Sequence, residues 1–177
     1  MTRWIALLYS VILTPQRRVT SADLIHLAEG LGFSDPKTVL STGNLIFAGA
    51  GTEDDLTRRI EAAIVKNWGR PIPVLLRTAA DWVDLVAANP FPAESDSTPD
   101  KVAVRVMRVP PAPTRMAEIA RHVISGEKIM LTSRAIWIAS PQQLSRSALL
   151  RAVAAPKSGT GTFRNVSAIG KIAMALD

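Results

Sequence analysis

A chain of 177 residues that is 47% hydrophobic and 20% charged can bury a core, as one domain or as two small subdomains. It has no cysteine, which excludes disulfides, thiolate nucleophiles and cysteine-ligated metals and fits a reducing compartment. The net charge of +6 is unevenly placed: residues 1–100 hold 9 Lys and Arg against 12 Asp and Glu, whereas residues 101–177 hold 12 against 3, a net +9. Such a half attracts phosphate groups or polyanions, unless its cations form only a solvated basic face.

The N-terminal residues resemble a signal peptide, since an apolar run, Trp4–Leu13, follows Arg3. No small-residue cleavage site comes after it, and the run is shorter than the roughly 20 residues that span a bilayer. We therefore predict a buried first strand over Trp4–Leu13 in a soluble, cytoplasmic protein without a membrane partner.

The rest of the first half predicts a helix, a hairpin, a helix and a strand. The first helix begins at Thr20, whose capping box includes Asp23, and it ends at Gly32. The hairpin spans Val39–Phe47, and its turn residues have a structural or functional role; they are Ser41, Gly43 and Asn44.

The second helix of this half opens at Thr52–Asp55 and stops at Gly69, and the strand begins near Pro73. A further helix, carrying Trp82, ends before Asn89-Pro90.

The second half repeats this order about 90–100 residues later. We predict a strand over 101–109 with one buried face and one partly polar face, and then a helix capped by Thr114 with Val123 inward. A hairpin over 129–138, a helix over 144–154 and a terminal helix follow.

The predicted fold is α+β: two ferredoxin-like (β-α-β-β-α-β type) subdomains in tandem, with helices packed on antiparallel sheets. Residues 1–90 form the first subdomain, residues 91–100 the linker, and residues 101–177 the second subdomain with its terminal helix.

Several segments resemble the DUF1697 family in order along the whole chain. They are Met1–Leu8, Ser41–Phe47, Pro73–Thr78, Ala88–Phe91, Ser145–Ser147 and Phe163–Asn165. The resemblance implies the same α+β fold of two ferredoxin-like subdomains and no activity, because the family has no established biochemical function.

The chain departs from the family pattern after the first strand. Family members carry an Arg-Gly-Ile-Asn-Val-Gly-Gly type segment there, and this chain has Tyr9–Pro15 instead. If that loop binds an anion through backbone N–H groups, we expect the site to be lost or altered in this protein. The aromatic and Asn that follow the family's Arg-Asn pair are Val166 and Ser167 here.

A glycine-rich segment before the terminal helix is the best candidate for an anion site, because backbone N–H groups and a helix N-terminus both favour a phosphate. The candidate residues are Arg146, Lys157, Ser158, Gly159, Thr160, Gly161, Arg164 and Asn165. The segment lacks the Gly-Lys-Ser/Thr ending of a P-loop, so the alternative is a flexible surface loop in which Asn165 only caps the helix.

A wider basic surface would suit a phosphate backbone. Its members are Arg134, Arg146, Arg151, Lys157, Arg164 and Lys171, with Arg17 and Arg18 as possible additions. Trp137 lies in a hairpin strand, where we expect a core position rather than a base-stacking platform.

Catalytic and metal sites have little support. His26 and His122 lack metal-ligand spacing, and no nucleophile elbow surrounds Ser10, Ser41 or Ser147. We expect no cofactor and no metal.

The leading hypothesis is therefore a non-catalytic binding protein for nucleic acid or a phosphorylated small molecule. The alternatives are a small-molecule enzyme with its site in the cleft between the subdomains, and an oligomerising module.

Overall fold

The protein is described here from a computed structural model that covers residues 1–124 and 126–177. It divides into two compact units: Met1–Val83 with Lys171–Asp177, and Asp84–Gly170. Each unit has a four-stranded antiparallel sheet and helices, so the α+β class is confirmed. Within the two described ranges, no helix has the length and apolarity to cross a bilayer.

The first unit contains the elements predicted for the first half of the chain as far as the strand near Pro73, and two further short strands. They are β1 (Thr2–Leu8), β2 (Ile12–Thr14), β3 (Arg17–Arg18), α1 (Ser21–Gly30), β4 (Ser34–Thr38), β5 (Asn44–Gly49), α2 (Glu53–Trp68) and β6 (Val74–Thr78). The sheet order is β4-β5-β1-β6, and β2 and β3 form a separate two-stranded ribbon. Apolar residues of the sheet pack against α1 and α2 in one core.

The predicted starts of α1 and α2 and the predicted end of α2 are confirmed by their caps, whereas α1 ends at Gly30, two residues before the predicted Gly32. The Thr20 hydroxyl accepts a hydrogen bond from the Asp23 N–H at 3.1 Å, and the Asp23 carboxylate accepts one from the Thr20 N–H at 2.8 Å. Thr52 caps α2 in the same way through the Asp55 N–H, at 3.2 Å. Gly69 ends α2 in the left-handed region, with φ of 71°.

The first strand is shorter than predicted, because the chain turns after Leu8. The Val19 N–H then donates to the Val11 carbonyl at 2.7 Å and extends the β2–β3 ribbon. Val11 and Leu13 lie outside β1, but they are buried in the same core as the residues of that strand. The apolar run was therefore continuous because two separate elements contribute to one core.

The hairpin around Gly43 is confirmed, but its first strand is β4, earlier and more polar than predicted. Asn44 is fully buried, and its side-chain N–H groups donate to the Val39 carbonyl at 2.8 Å and the Thr42 hydroxyl at 3.0 Å. Asn44 therefore fixes the turn, whereas Ser41 is exposed.

The second unit continues from α3 (Ala79–Ala87), which ends where the sequence predicts. Its elements are α4 (Pro92–Ser97), β7 (Val102–Met107), α5 (Pro113–Ala120), β8 (Lys128–Thr132), β9 (Ala135–Ala139), α6 (Ala148–Ala154), β10 (Gly161–Asn165) and α7 (Val166–Met174), which runs into the first unit. The sheet order is β10-β7-β9-β8. The predicted linker includes α4, and its boundaries stay a prediction.

Three predictions for this unit were wrong. Both faces of β7 are buried, whereas one polar face was expected. Helix α5 begins at Pro113 without a side-chain cap from Thr114, and Val123 lies beyond it, 37% exposed. Helix α6 begins only at Ala148, after a 3-10 turn at Leu144–Arg146. Trp137, in contrast, is fully buried as predicted.

Replacing Gly43 by alanine should destabilise the first unit. Gly43 has a φ of +77°, and an added Cβ would lie 2.7 Å from Val11 Cγ1 and 3.0 Å from Leu8 Cβ. We expect a loss of about 1–3 kcal/mol in the free energy of unfolding, measured by urea denaturation.

The matched control is Gly30→Ala, because a Cβ there meets nothing within 4 Å. That substitution should leave stability unchanged or raise it by about 0.5–1 kcal/mol. Equal losses in the two variants would contradict this account of Gly43.

Candidate functional site

The glycine-rich segment consists of a 3-10 turn, two exposed residues and the edge strand β10. Residues Pro156–Ser158 form a 3-10 turn, Gly159 has a φ of 88°, and β10 pairs with β7 along its whole length. A Cβ on Gly161 would lie 2.5 Å from the Met107 sulfur, so this glycine permits close approach of two strands. The glycines therefore have structural roles that the sequence did not indicate.

Arg105 is buried beneath the end of α6, although β7 is otherwise apolar. It is 2% exposed, and its Nη1 donates to the Val153 carbonyl while Nη2 donates to the Gly159 carbonyl at 2.8 Å. Its guanidinium also lies 5.8 Å from the centroid of the Phe163 ring. The carbonyls of the last turn of α6 have no partner within the helix, and Arg105 donates a hydrogen bond to one of them.

Arg115 provides a second cation at the same helix end. Its Nη2 donates to the Ala152 carbonyl at 2.8 Å, and its Nε donates to the Ser158 hydroxyl at 3.1 Å. The Ser158 hydroxyl itself donates to the Ala152 carbonyl at 3.1 Å. Ser158, a predicted anion ligand, is therefore 2% exposed and occupied by these contacts.

Sequence reasoning missed both arginines as structural residues. The one available signal was the position of Arg105 between Ala103 and Met107 on the inward face of a strand. For Arg115 the sequence held no such signal, because its partners lie 37 and 43 residues away.

Arg164 lies on the opposite face of the sheet from Arg105. It is 8% exposed, and its Nη1 donates to the Thr162 hydroxyl at 3.0 Å and the Phe163 carbonyl at 2.7 Å. Burial lowers the pKa of its guanidinium to about 10, so the group stays protonated at neutral pH.

Asn165 accepts a hydrogen bond from the Ala168 N–H at 2.8 Å, in the first turn of α7.

Three predicted cations are exposed around α6: Arg146 before it, Arg151 within it and Lys157 after it. The Arg151 Nη1 donates to the Arg146 carbonyl at 3.4 Å, so these two residues are neighbours. A helix of 7 residues is about 10 Å long, so Arg146 and Lys157 lie at opposite ends and do not converge on one point. Thr160 is exposed between the turn and β10.

The sequence from 128 to 176 contains seven Lys and Arg and no Asp or Glu. Two of these cations, Lys128 and Lys157, pair with carboxylates from outside this stretch. Glu94 pairs with Lys128, and Glu118 pairs with Arg115 at 2.8 Å and with Lys157 at 3.6 Å.

Glu127 is buried and organises the Ser145–Ser147 segment. Its Oε1 accepts a hydrogen bond from the Ser147 hydroxyl at 2.6 Å, and its Oε2 accepts one from the Ile124 N–H at 3.2 Å. The Ser147 hydroxyl in turn accepts from the Leu150 N–H at 3.0 Å and caps α6. Ser147 is only 4% exposed, so this Ser–Glu pair is structural.

Both histidines are exposed, one in each unit. His122 is exposed after α5, and His26 is exposed on α1, where it lines a groove of about 650 Å³ between α1 and α2. A second cavity, of about 420 Å³, lies in the second unit beside Asn89 and Asp96. Among the described residues, no group of three or more His, Asp or Glu side chains is placed to hold a metal ion.

Comparison with known proteins gives a family and a fold. The family model described as "Protein of unknown function (DUF1697)" matches residues 1–137. A conserved bacterial protein from Streptococcus pneumoniae has a similar structure, with a TM-score of 0.82 over 99% of each chain and 16% sequence identity. No curated protein matches the chain. The protein therefore belongs to the DUF1697 family.

Replacing Ser147 by alanine should destabilise the second unit. The change removes the cap of α6 and one donor to the buried Glu127 carboxylate. We expect the free energy of unfolding to fall by about 2 kcal/mol, measured by urea denaturation.

Ser145→Ala is the matched control, because Ser145 is exposed two residues earlier in the same segment. Its effect should stay within about 0.5 kcal/mol. Similar stabilities for the two variants would show that the Ser147–Glu127 pair contributes little.

Proposed function

We propose that this DUF1697 protein binds an extended polyanion, nucleic acid, along the exposed cations Arg146, Arg151 and Lys157. The supporting observation is that these three side chains are exposed around α6, in a stretch from 128 to 176 that contains seven Lys and Arg and no Asp or Glu. Phosphate-backbone binding needs cations within reach of successive phosphates and little else.

The spacing of the three cations favours an extended partner over a single phosphorylated small molecule. They are spread along a helix about 10 Å long, and none of them lines either of the two cavities described above. Double-stranded DNA carries one charge per about 1.7 Å of its axis, so several phosphates fall within that length.

In this proposal the buried arginines promote binding only through their electrostatic field. Arg105 and Arg164 are 2% and 8% exposed and cannot reach a phosphate, yet their charges add to the positive potential of the unit. The proposed contacts therefore exclude Arg164 and the backbone of Gly159 and Gly161, which the sequence had included.

We propose further that both units are ferredoxin-like subdomains. Support comes from the strand orders β4-β5-β1-β6 and β10-β7-β9-β8. When only the four strands of each sheet are counted in chain order, the first strand lies between the third and the fourth. In each unit a helix follows the first strand and another follows the third, as in the β-α-β-β-α-β arrangement.

The proposal is tested by fluorescence anisotropy with labelled single-stranded and double-stranded oligonucleotides across a salt series. The wild-type protein should bind with a log affinity that falls linearly with log salt. The double variant Arg146→Glu/Arg151→Glu should bind at least tenfold more weakly, with a salt slope smaller by about 1.4 for a single strand.

The control is Arg17→Glu/Arg18→Glu, which makes the same change in net charge at exposed residues of the first unit. It should reduce affinity far less. Equal losses in the two double variants, or no binding by the wild type at low salt, would refute the proposed surface.

A further inference from the structure

The groove between α1 and α2 is formed by one face of each helix. It is lined on the first side by residues 23, 26, 27, 30 and 31, and on the second by residues 59, 62, 63, 66 and 67. Both sets follow the helical spacing of i, i+3, i+4, i+7 and i+8. Gly30, Ala62 and Ala63 carry little or no side chain, so the facing helices leave about 650 Å³ open.

The floor of this groove is apolar. Leu27 is 4% exposed and belongs to the core of the first unit. Leu31, Ala63 and Trp68 are partly buried and pack against the same core. Together they present aliphatic and indole surface to whatever occupies the groove.

The rim of the groove carries two cations on α2, Arg59 and Lys66. Arg59 is already positioned, because its Nη2 donates to the Leu31 carbonyl at 2.8 Å and its guanidinium lies 5.1 Å from the centroid of the Phe33 ring. Lys66 is exposed one helical turn beyond Ala62.

Asp23 is the carboxylate on this rim, and it is engaged in the capping box of α1. It accepts the Thr20 N–H at 2.8 Å in the capping box of α1, and this backbone hydrogen bond lowers the pKa of its carboxyl. The lining therefore combines two cations, one carboxylate that caps a helix, and an apolar floor.

We propose that the groove binds a small anionic ligand with an apolar body. The carboxylate or phosphate lies against the exposed Lys66, the ring or chain lies on Leu27, Ala63 and Trp68, and Arg59 adds positive charge to the rim. A volume of about 650 Å³ falls within the range of small-molecule sites, which join an apolar lining to a few placed polar groups. This site lies wholly in the first unit and is independent of the nucleic-acid surface proposed for the second.

Isothermal titration calorimetry on the full chain tests the site with four probes. Naphthoate and naphthyl phosphate carry the anion and the ring, and the stronger binder of the two identifies the preferred anion. Naphthalenemethanol keeps the ring without the charge, and inorganic phosphate keeps the charge without the ring. At least one anionic naphthalene should bind, and both incomplete probes should bind at least tenfold more weakly.

Three variants locate the binding. Gly30→Leu should abolish it, because the new side chain enters the groove from a helical position where a Cβ meets nothing within 4 Å. Lys66→Gln should weaken it about fivefold through the loss of one exposed charge. Arg58→Gln, on the same helix with a side chain 78% exposed and outside the lining, should leave it unchanged.

The proposal is overturned if neither anionic naphthalene binds the wild type or if naphthalenemethanol binds as tightly as they do. It is also overturned if the Gly30→Leu variant, folded by circular dichroism, binds like the wild type. None of these results bears on the oligonucleotide experiment, which uses residues of the other unit.

Discussion

The end of helix α6 has backbone carbonyls that need donors, and two arginines supply them. Arg105 reaches the Val153 carbonyl from inside the sheet, and Arg115 reaches the Ala152 carbonyl from α5. Arg105 also bonds the Gly159 carbonyl, so the same side chain directs the path from α6 into β10. A buried cation that loses its partners is costly, typically by 3–5 kcal/mol, so this arrangement constrains the helix end and the edge strand together.

The cations of the second unit are of two kinds, which differ in their exposure to solvent. Arg105 and Arg164 are buried and stabilise strands and turns, whereas Arg146, Arg151 and Lys157 are exposed. A surplus of charge in a sequence does not distinguish the two kinds, although both contribute to the field around the protein. The proposed binding of an anionic partner therefore uses fewer side chains than the net charge implies.

Much of the fold was predictable from local rules. Capping residues placed α1 and α2 correctly, because a cap acts within one helical turn of its own sequence. Edge strands were harder: β4 and β10 are rich in polar residues, Gly or Pro, and only pairing with distant strands defines them. The candidate site followed the same division. The charge pattern identified the cations around α6 without distinguishing them from the buried Arg164, and the role of Arg105 depends on a carbonyl 48 residues away.

In the proposed function, an anionic partner contacts the exposed cations around α6 and neither the buried arginines nor the first unit. The most direct test of this contact is the change in backbone amide chemical shifts when the isotope-labelled protein is titrated with a single-stranded oligonucleotide of about ten nucleotides at low salt. The proposed contact predicts that the chemical-shift changes are concentrated at residues 144–157, with the amides of residues 23–68 unaffected. Shifts concentrated in α1 and α2, or none at saturating oligonucleotide, would contradict it.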